Sequence, residues 1–134
     1  MAKKVVHISG KRKMAIARAT LKEGKGVVRI NNTLLDVYEP EFARMKISEP
    51  LMIAGDIVKG LNIGINVKGG GWQSQAEASR LAIAKGLVEW SKSGPLKKKF
   101  LDYDRHLLLA DVRRKEECKP NDSKARAKRQ KSYR

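Results

Sequence analysis

The chain has 134 residues, of which 41% are hydrophobic and 5% aromatic, and its formal net charge is +16 at pH 7. This length fits one domain with an extension, and the hydrophobic fraction allows a small core. The charge indicates a polyanionic partner, whereas the scarcity of aromatic residues excludes base stacking on a Phe- and Tyr-rich sheet as the main mode of binding.

Neither a membrane nor an oxidising compartment is expected. The one cysteine, Cys118, leaves no internal disulfide possible and indicates a reducing compartment. The N-terminal residues lack an apolar run of signal-peptide length, and no stretch reaches the roughly 18 apolar residues of a membrane span. We therefore expect a soluble cytoplasmic protein without a membrane partner.

Three strands are predicted at residues 5–8, 14–21 and 27–30. A basic turn at residues 10–13 joins the first two, and a glycine-containing turn at residues 23–26 joins the second to the third. In the second strand, the residues of one face are Met14, Ile16, Arg18 and Thr20, and those of the other are Ala15, Ala17, Ala19 and Leu21. We expect the three strands to form an antiparallel meander that stops at Asn31.

Two short helices are predicted at residues 40–45 and 49–57, with Ser48 capping the second and Pro50 in its first turn. Residues 61–68 give the clearest strand pattern. Their odd-numbered side chains are large and apolar, and their even-numbered ones are polar or absent. That alternation predicts one buried face and one face open to solvent or to a partner.

The C-terminal half begins with a glycine run at residues 69–71, and a helix is predicted at residues 74–91. The expected apolar stripe of this helix consists of Ala76, Ser79, Ile83, Leu87 and Trp90. A second helix at residues 96–103 is expected to turn Leu96, Phe100 and Leu101 inward, and residues 107–109 to cover the core. Because the composition changes sharply from residue 111, we expect a globular body of residues 1–112 and an extended basic tail of residues 113–134.

No enzymatic site is evident. His7 and His106 lack partners at motif spacing, and neither zinc-ligand spacing nor a nucleophile motif occurs. Asp102 and Asp104 are expected to pair with basic side chains rather than to hold a metal. The sequence thus predicts no catalysis, no cofactor and no small-molecule substrate.

The glycine run is a candidate anion site because it follows a strand and precedes a helix, where backbone N–H groups can receive a phosphate. It matches no nucleotide-binding motif, since neither Gly-Lys-Ser/Thr nor a complete Gly-x-Gly-x-x-Gly is present. A plain strand-to-helix turn is the alternative. The residues expected to contact an RNA backbone here are Lys68, Gly69, Gly70, Gly71, Gln73, Gln75 and Arg80.

A second basic cluster lies near the N-terminus. The first 22 residues contain seven Lys or Arg and no acidic residue, which argues against a merely solvated surface. The residues expected to bind phosphates are Lys11, Arg12, Lys13 and Arg18.

The third basic segment is the tail, which begins with Arg113, Arg114 and Lys115. Half of residues 123–134 are Lys or Arg, and none is Leu, Ile, Val or Phe. Such a segment cannot offset the entropy of ordering itself and is suited to following phosphates. A localisation signal or an artefact of expression is the alternative. Tyr133 can stack on a base or sugar, and Arg134 can bridge phosphate oxygens.

Four blocks in this order resemble the family of the ninth protein of the small ribosomal subunit. They are GKRKMAIARA at residues 10–19, GKGVVRIN at residues 24–31, GGGWQSQAEASRLAIA at residues 69–84 and RQKSYR at residues 129–134. The last block, with the short N-terminus, resembles the archaeal form. The resemblance covers nearly the whole chain.

The resemblance implies a two-layer α/β (α+β) fold, with a mostly antiparallel sheet, helices on one face and a left-handed crossover, as in the second domain of ribosomal protein five. It implies that the body binds small-subunit rRNA in the head, beside neighbouring head proteins. It also implies that the tail reaches the peptidyl site. The residues expected to contact the anticodon stem-loop of tRNA there are Lys128, Arg129, Lys131, Ser132, Tyr133 and Arg134.

Two alternatives share this type of fold. Kinases of the galactokinase–mevalonate kinase type need a metal-binding Ser or Thr after the glycine loop and a second domain, and neither is evident. The protein subunit of ribonuclease P has a basic helix with interleaved Arg and Asn, whereas the helix after Gly71 is rich in alanine.

Overall fold

A computed structural model describes residues 4–121, 124–130, 132 and 133. Within these residues five strands form one sheet, in the spatial order β1-β2-β5-β3-β4. The strands are β1 (Val5–Arg12), β2 (Ala15–Glu23), β3 (Val28–Ile30), β4 (Thr33–Leu34) and β5 (Leu61–Lys68). The helices are α1 (Glu41–Ala54), α2 (Asp56–Lys59), α3 (Trp72–Ser91) and α4 (Gly94–Tyr103). The fold is therefore α+β with a mostly antiparallel sheet, as predicted, and no helix in these residues has the length and apolarity to cross a membrane.

The first hairpin is longer than predicted. β1 continues to Arg12, so that the turn consists of Lys13 and Met14 rather than residues 10–13, and Lys13 has φ 51°. Gly10 lies inside β1 for a packing reason, because a Cβ at this position would be 2.3 Å from the carbonyl oxygen of Ala78 in α3. A glycine that looked like a turn residue thus lets the helix approach the strand closely.

The predicted meander is wrong. β5 lies between β2 and β3, antiparallel to the first and parallel to the second. Asn62 of β5 holds the loop before β3, since its Oδ1 accepts the N–H groups of Lys25 at 2.9 Å and Val27 at 3.3 Å. Asn31 holds the other end of β3 through a pair of hydrogen bonds to the backbone of Val67. Because the eight-residue β5 pairs with both β2 and β3, these two strands do not pair with each other as the hairpin pattern predicted.

The helices cover one face of the sheet. The alternation predicted for β2 and β5 is confirmed, because Ala15, Ala17, Ala19 and Leu21 and the odd-numbered residues of β5 are buried. α3 packs against β1, β2 and β5, and α1 packs against α3. Because α3 lies between the sheet and α1, its buried surface is wider than the predicted stripe. The additional buried residues include Ala78, Leu81, Ala82 and Ala84.

Helix α1 is continuous, so the prediction of two short helices at residues 40–45 and 49–57 is wrong. Its buried residues, Ala43, Ile47, Pro50 and Ala54, recur at helical spacing, and the uninterrupted helix turns all four toward the core. Ser48 does not cap a second helix, because its Oγ donates to the carbonyl oxygen of Arg44 at 2.8 Å. Tertiary packing thus outweighs the local penalty of an internal proline.

Helix α4 begins two residues earlier than predicted, with Ser93 accepting a hydrogen bond from the N–H of Leu96. Leu96 and Phe100 are buried as expected, whereas Leu101 is 40% exposed, contrary to the prediction. Leu107 closes the core, but Leu109 is exposed. Among the described residues that follow position 109, none belongs to a helix or strand.

Candidate nucleic-acid interface

Strand alternation distributes the N-terminal basic cluster over different surfaces. Lys11 is exposed on the face of the sheet opposite the helices, and Lys13 is exposed at the hairpin turn. Arg12, between them in sequence, points to the helix side and keeps only 14% of its side chain exposed. The three cations that looked equivalent in sequence therefore meet different surroundings.

Arg12 belongs to an ion-pair network inside the body. Its Nε donates to Oε2 of Glu77 at 2.6 Å, and its Nη1 lies 3.3 Å from Oδ2 of Asp111. Lys46 of α1 also reaches Glu77, at 3.1 Å. Partial burial tends to raise the pKa of Glu77, but the hydrogen bonds and charges of Arg12 and Lys46 outweigh it and lower this pKa below its ordinary value.

Arg80 is held in the same way between two carboxylates, with 14% of its side chain exposed. It lies 2.5 Å from Oε2 of Glu49 and 2.9 Å from Oδ2 of Asp104. The expectation that Asp104 pairs with a basic side chain is confirmed. Desolvation tends to raise the pKa of Asp104, but hydrogen bonds from the N–H of His106 and from Arg80 lower it overall. Within the described residues, no group of three His, Cys, Asp or Glu side chains is arranged to hold a metal ion.

The glycine run divides into two structural glycines and one open position. Gly69 and Gly70 have φ of 80° and 67°, and a Cβ on Gly69 would be 2.4 Å from the carbonyl oxygen of Met14. Gly71 is the N-cap of α3, with extended backbone and no side-chain cap, and a Cβ at this position would have no heavy atom within 4 Å. Gln75 donates to the carbonyl oxygen of Gly69 at 3.2 Å and so closes the turn, while Gln73 and Lys68 are exposed.

The start of the tail lies against this glycine turn. A side-chain N–H of Arg114 donates to the carbonyl oxygen of Lys13. Arg113 is anchored to the Asp111 carboxylate through Nε at 3.0 Å and Nη2 at 2.6 Å. Residues 113–118 border a depression of about 900 Å³, and its other lining residues are Lys13, Met14, Gly70, Gly71 and Ser74. The structure thereby brings the hairpin turn, the glycine turn and the first tail cations together.

Asp111 links the body to the start of the tail. Hydrogen bonds from the side chain and backbone N–H of Arg113, with the charge of Arg12, hold its pKa far below the ordinary value for an aspartate. The same hydrogen bonds raise the pKa of Arg113. One carboxylate thus connects a cation of β1 with the first cation of the tail.

Further along, the tail contacts itself. Glu116 pairs with Arg126 at 2.7 Å, and Lys119 donates to the carbonyl oxygen of Ala127 at 2.9 Å. Of the residues expected at tRNA, Lys128, Arg129, Ser132 and Tyr133 are exposed, Tyr133 to 90%. The predicted contacts at Lys131 and Arg134 lie outside the described residues.

Arg18 lies on the uncovered face of the sheet, opposite Ser9 and Asn66 in the neighbouring strands. Two more cations share this face and were not predicted as site residues, namely Lys22 of β2 and Arg29 of β3. The period-two pattern could have identified both, because Lys22 continues the series of Arg18 and Arg29 alternates with buried neighbours. The carboxylates of the ion-pair network, by contrast, have no signal of their own in the sequence.

Comparison with known proteins gives one family over nearly the whole chain. The family model described as ribosomal protein S9/S16 matches residues 10–134. Small ribosomal subunit protein uS9 of Methanococcus maripaludis strain C7 is 52% identical over 133 residues, which cover 98% of this chain and 99% of the relative. The protein of the same name from Methanothrix thermoacetophila is 50% identical over 131 residues, with the same coverage of both chains.

Proposed function

The chain belongs to the ribosomal protein S9/S16 family, and from that premise we propose that it is a structural component of the small ribosomal subunit in the cytoplasm. The similarity to archaeal relatives that carry the name of a small-subunit protein extends over 98% of the chain. That name denotes a ribosomal protein rather than an enzyme, in agreement with the absence of catalytic motifs noted in the sequence. The kinase and ribonuclease P alternatives have no comparable support.

We propose that the body, residues 1–112, binds small-subunit rRNA in the head and contacts neighbouring head proteins. The observation that carries this proposal is the cluster formed by the hairpin turn, the glycine turn and the first tail residues. There Lys13, Arg114 and Lys115 are exposed beside the uncapped start of α3. A helix N-terminus with adjacent cations favours a phosphate.

Within this proposal the predicted rRNA-binding residues have two roles. The exposed ones, Lys11, Lys13, Arg18, Lys68 and Gln73, contact the backbone. Arg12 and Arg80, whose charges are paired with carboxylates, hold the hairpin, the helices and the start of the tail in position. Contacts to phosphates would set the orientation of the body without reading sequence.

For the tail, residues 113–134, we propose contact between its last residues and the anticodon stem-loop of peptidyl-site tRNA. The support is composition and exposure: the described terminal residues Lys128, Ser132 and Tyr133 are exposed, and the terminal run has no acidic residue. A cationic segment with one aromatic ring suits a phosphate backbone with an accessible base or sugar.

We also propose that the body shares the architecture of the second domain of ribosomal protein five, with a left-handed connection between β3 and β5. β3 and β5 pair in parallel, and the chain passes from one to the other through β4, α1 and α2. The hand of this connection is what we propose. An experimental structure of the assembled protein would measure its hand directly.

The deciding experiment is sedimentation with small ribosomal subunits at high salt. We expect the full chain to remain with the subunit, and its loss into the supernatant would contradict the structural role. A variant lacking Ser132–Arg134 should still assemble but retain peptidyl-site tRNA less well. If the shortened chain fails to assemble, the proposed division between body and tail is wrong.

A further inference from the structure

One face of the sheet has no helix over it. The strand register arranges its side chains in four rows, which together define the open sheet face. The rows are Lys11–Ile16–Lys68, Ser9–Arg18–Asn66, His7–Thr20–Gly64–Arg29 and Val5–Lys22–Asn62.

The open sheet face is cationic and has no carboxylate at any of these positions. Its charged residues are Lys11, Arg18, Lys22, Arg29 and Lys68. In the described part of the chain, none of these five side chains forms an ion pair. The helix side differs, because Arg12 and Arg80 are paired there with carboxylates. The uncompensated charge of the sheet is thus concentrated on one surface.

The shape of this face is a shallow trough. Gly64 stands at its centre between Thr20 and Arg29, and a Cβ at Gly64 would have no heavy atom within 4 Å. The depression around it measures about 740 Å³, and its lining residues include His7, whose Nδ1 is 3.0 Å from Oγ1 of Thr20. It is too open to enclose a small ligand, but it can receive one edge of an extended polymer.

Two arginines flank the trough. Arg18 is on β2 and Arg29 is on β3, and β5 with Gly64 lies between them. Two strand spacings separate β2 from β3 by about 10 Å, and the offset of one row adds about 7 Å along the strands, so the two backbone positions are about 12 Å apart. Guanidinium groups at this separation, with the hydroxyl of Thr20 and the amide of Asn66 beside them, match a chain of phosphates and sugars rather than a single anion.

We propose that the open sheet face binds a segment of RNA backbone that crosses Gly64 between Arg18 and Arg29. This inference rests on the proposed function, which already assigns Lys11, Arg18 and Lys68 to the RNA backbone. It deepens that proposal by adding Lys22, Arg29 and the trough around Gly64 as part of the contact surface. An acidic polypeptide is the other polyanion that the positive charge of this face could attract. RNA is favoured because the face offers polar side chains and a bare glycine rather than pockets for apolar anchors.

The test uses the full chain and a transcript of the head domain of small-subunit rRNA. Gly64→Glu places a carboxylate and bulk in the trough. Gly94→Glu is the matched control, because Gly94 lies at the start of α4 and its Cβ position is equally unobstructed. We expect the affinity of Gly64→Glu to be about tenfold lower than that of the control, since a carboxylate among phosphate-binding cations repels the backbone.

A second pair of variants measures the phosphate contacts themselves. Arg18→Gln with Arg29→Gln should lower the slope of log affinity against log salt by about 1.4 to 1.8, because each phosphate contact contributes roughly 0.7 to 0.9. Lys97→Gln with Lys99→Gln removes the same charge from the exposed side of α4 and should leave the slope unchanged. All four residues are exposed, so melting temperatures should remain close to that of the unmodified chain.

The outcomes separate this inference from the proposed function. If the unmodified chain neither binds the transcript nor sediments with small subunits, the proposed function is wrong, and this inference falls with it. If it does both while the trough variants match their controls, only the open sheet face is overturned. If Gly64→Glu loses binding to a polyglutamate peptide but keeps full RNA affinity, the partner of this face is an acidic polypeptide and the RNA inference is overturned.

Discussion

Nε of Arg12, at the end of β1, donates to Oε2 of Glu77 in α3 across 2.6 Å. The other carboxylate oxygen of Glu77 accepts from Lys46 of α1 at 3.1 Å. One carboxylate therefore joins three elements of the fold. Through the contact between Arg12 and Asp111, the same group also positions the start of the tail.

Replacing this carboxylate should destabilise the body. Glu77→Gln keeps the size of the side chain but removes its charge, so that Lys46 loses its carboxylate partner and Arg12 keeps only Asp111. We expect the free energy of unfolding to fall by about 1.5–3 kcal/mol, the usual contribution of hydrogen bonds to charged groups. Urea denaturation measures it. The control is Glu89→Gln, an exposed glutamate of the same helix, and equal effects of the two substitutions would contradict the role of the network.

Acid should destabilise the folded body, because it protonates the carboxylates that form ion pairs with Arg12, Lys46 and Arg80. The pKa values of Glu77 and Asp104 are lowered on folding, from ordinary values of 4.5 and 3.8. A lowered pKa contributes stability that is fully present above the ordinary value and is lost as pH falls through the folded-state value. The free energy of unfolding should therefore change little between neutral pH and about 5 and should decrease below about 4.

Denaturation at a series of pH values measures this dependence. The Glu77→Gln variant should lose less stability in acid than the unmodified chain, because one of the linked carboxylates is absent. Identical acid profiles would show that Glu77 does not contribute to the dependence.

The close approach of α3 to β1 should make Gly10 intolerant of any side chain. Gly10→Ala would place a Cβ 2.3 Å from the carbonyl oxygen of Ala78 and 2.8 Å from the nitrogen of Ala82. Because both atoms belong to the helix backbone, we expect a loss of about 1–3 kcal/mol from overpacking. Thermal unfolding compares it with Gly94→Ala, where the space is open and the effect should be small. A stable Gly10→Ala protein would mean that the helix can shift away from the strand.

Gly71 offers a test of phosphate binding at the start of α3. Gly71→Asp and Gly71→Asn both introduce good N-cap side chains, so both should preserve or slightly increase stability. Only the aspartate adds a negative charge where a phosphate is proposed to lie. We therefore expect Gly71→Asp to bind small-subunit rRNA at least several-fold more weakly than Gly71→Asn. Filter binding at fixed salt measures the difference, and equal affinities would remove the glycine turn from the interface.

Local sequence patterns predicted the elements whose signal lies within the element. The alternation in β2 and β5 correctly assigned their buried faces, and the periodic apolar residues located α3. The same patterns misplaced the first turn and divided α1. At Gly10 and Pro50 the residue type is characteristic of a turn or a helix boundary, yet burial against another element decides the conformation.

The candidate site shows the same division. Composition alone was sufficient to indicate a polyanionic partner and a tail without a core, because net charge and the lack of apolar residues do not depend on how the chain folds. Which cations are paired, and which strands lie side by side, was a matter of tertiary structure. Arg12 and Arg80 are paired by carboxylates distant in sequence, and β5 inserts between the strands that carry Arg18 and Arg29. Such pairings depend on contacts between residues far apart in the chain, and a local pattern carries no information about them.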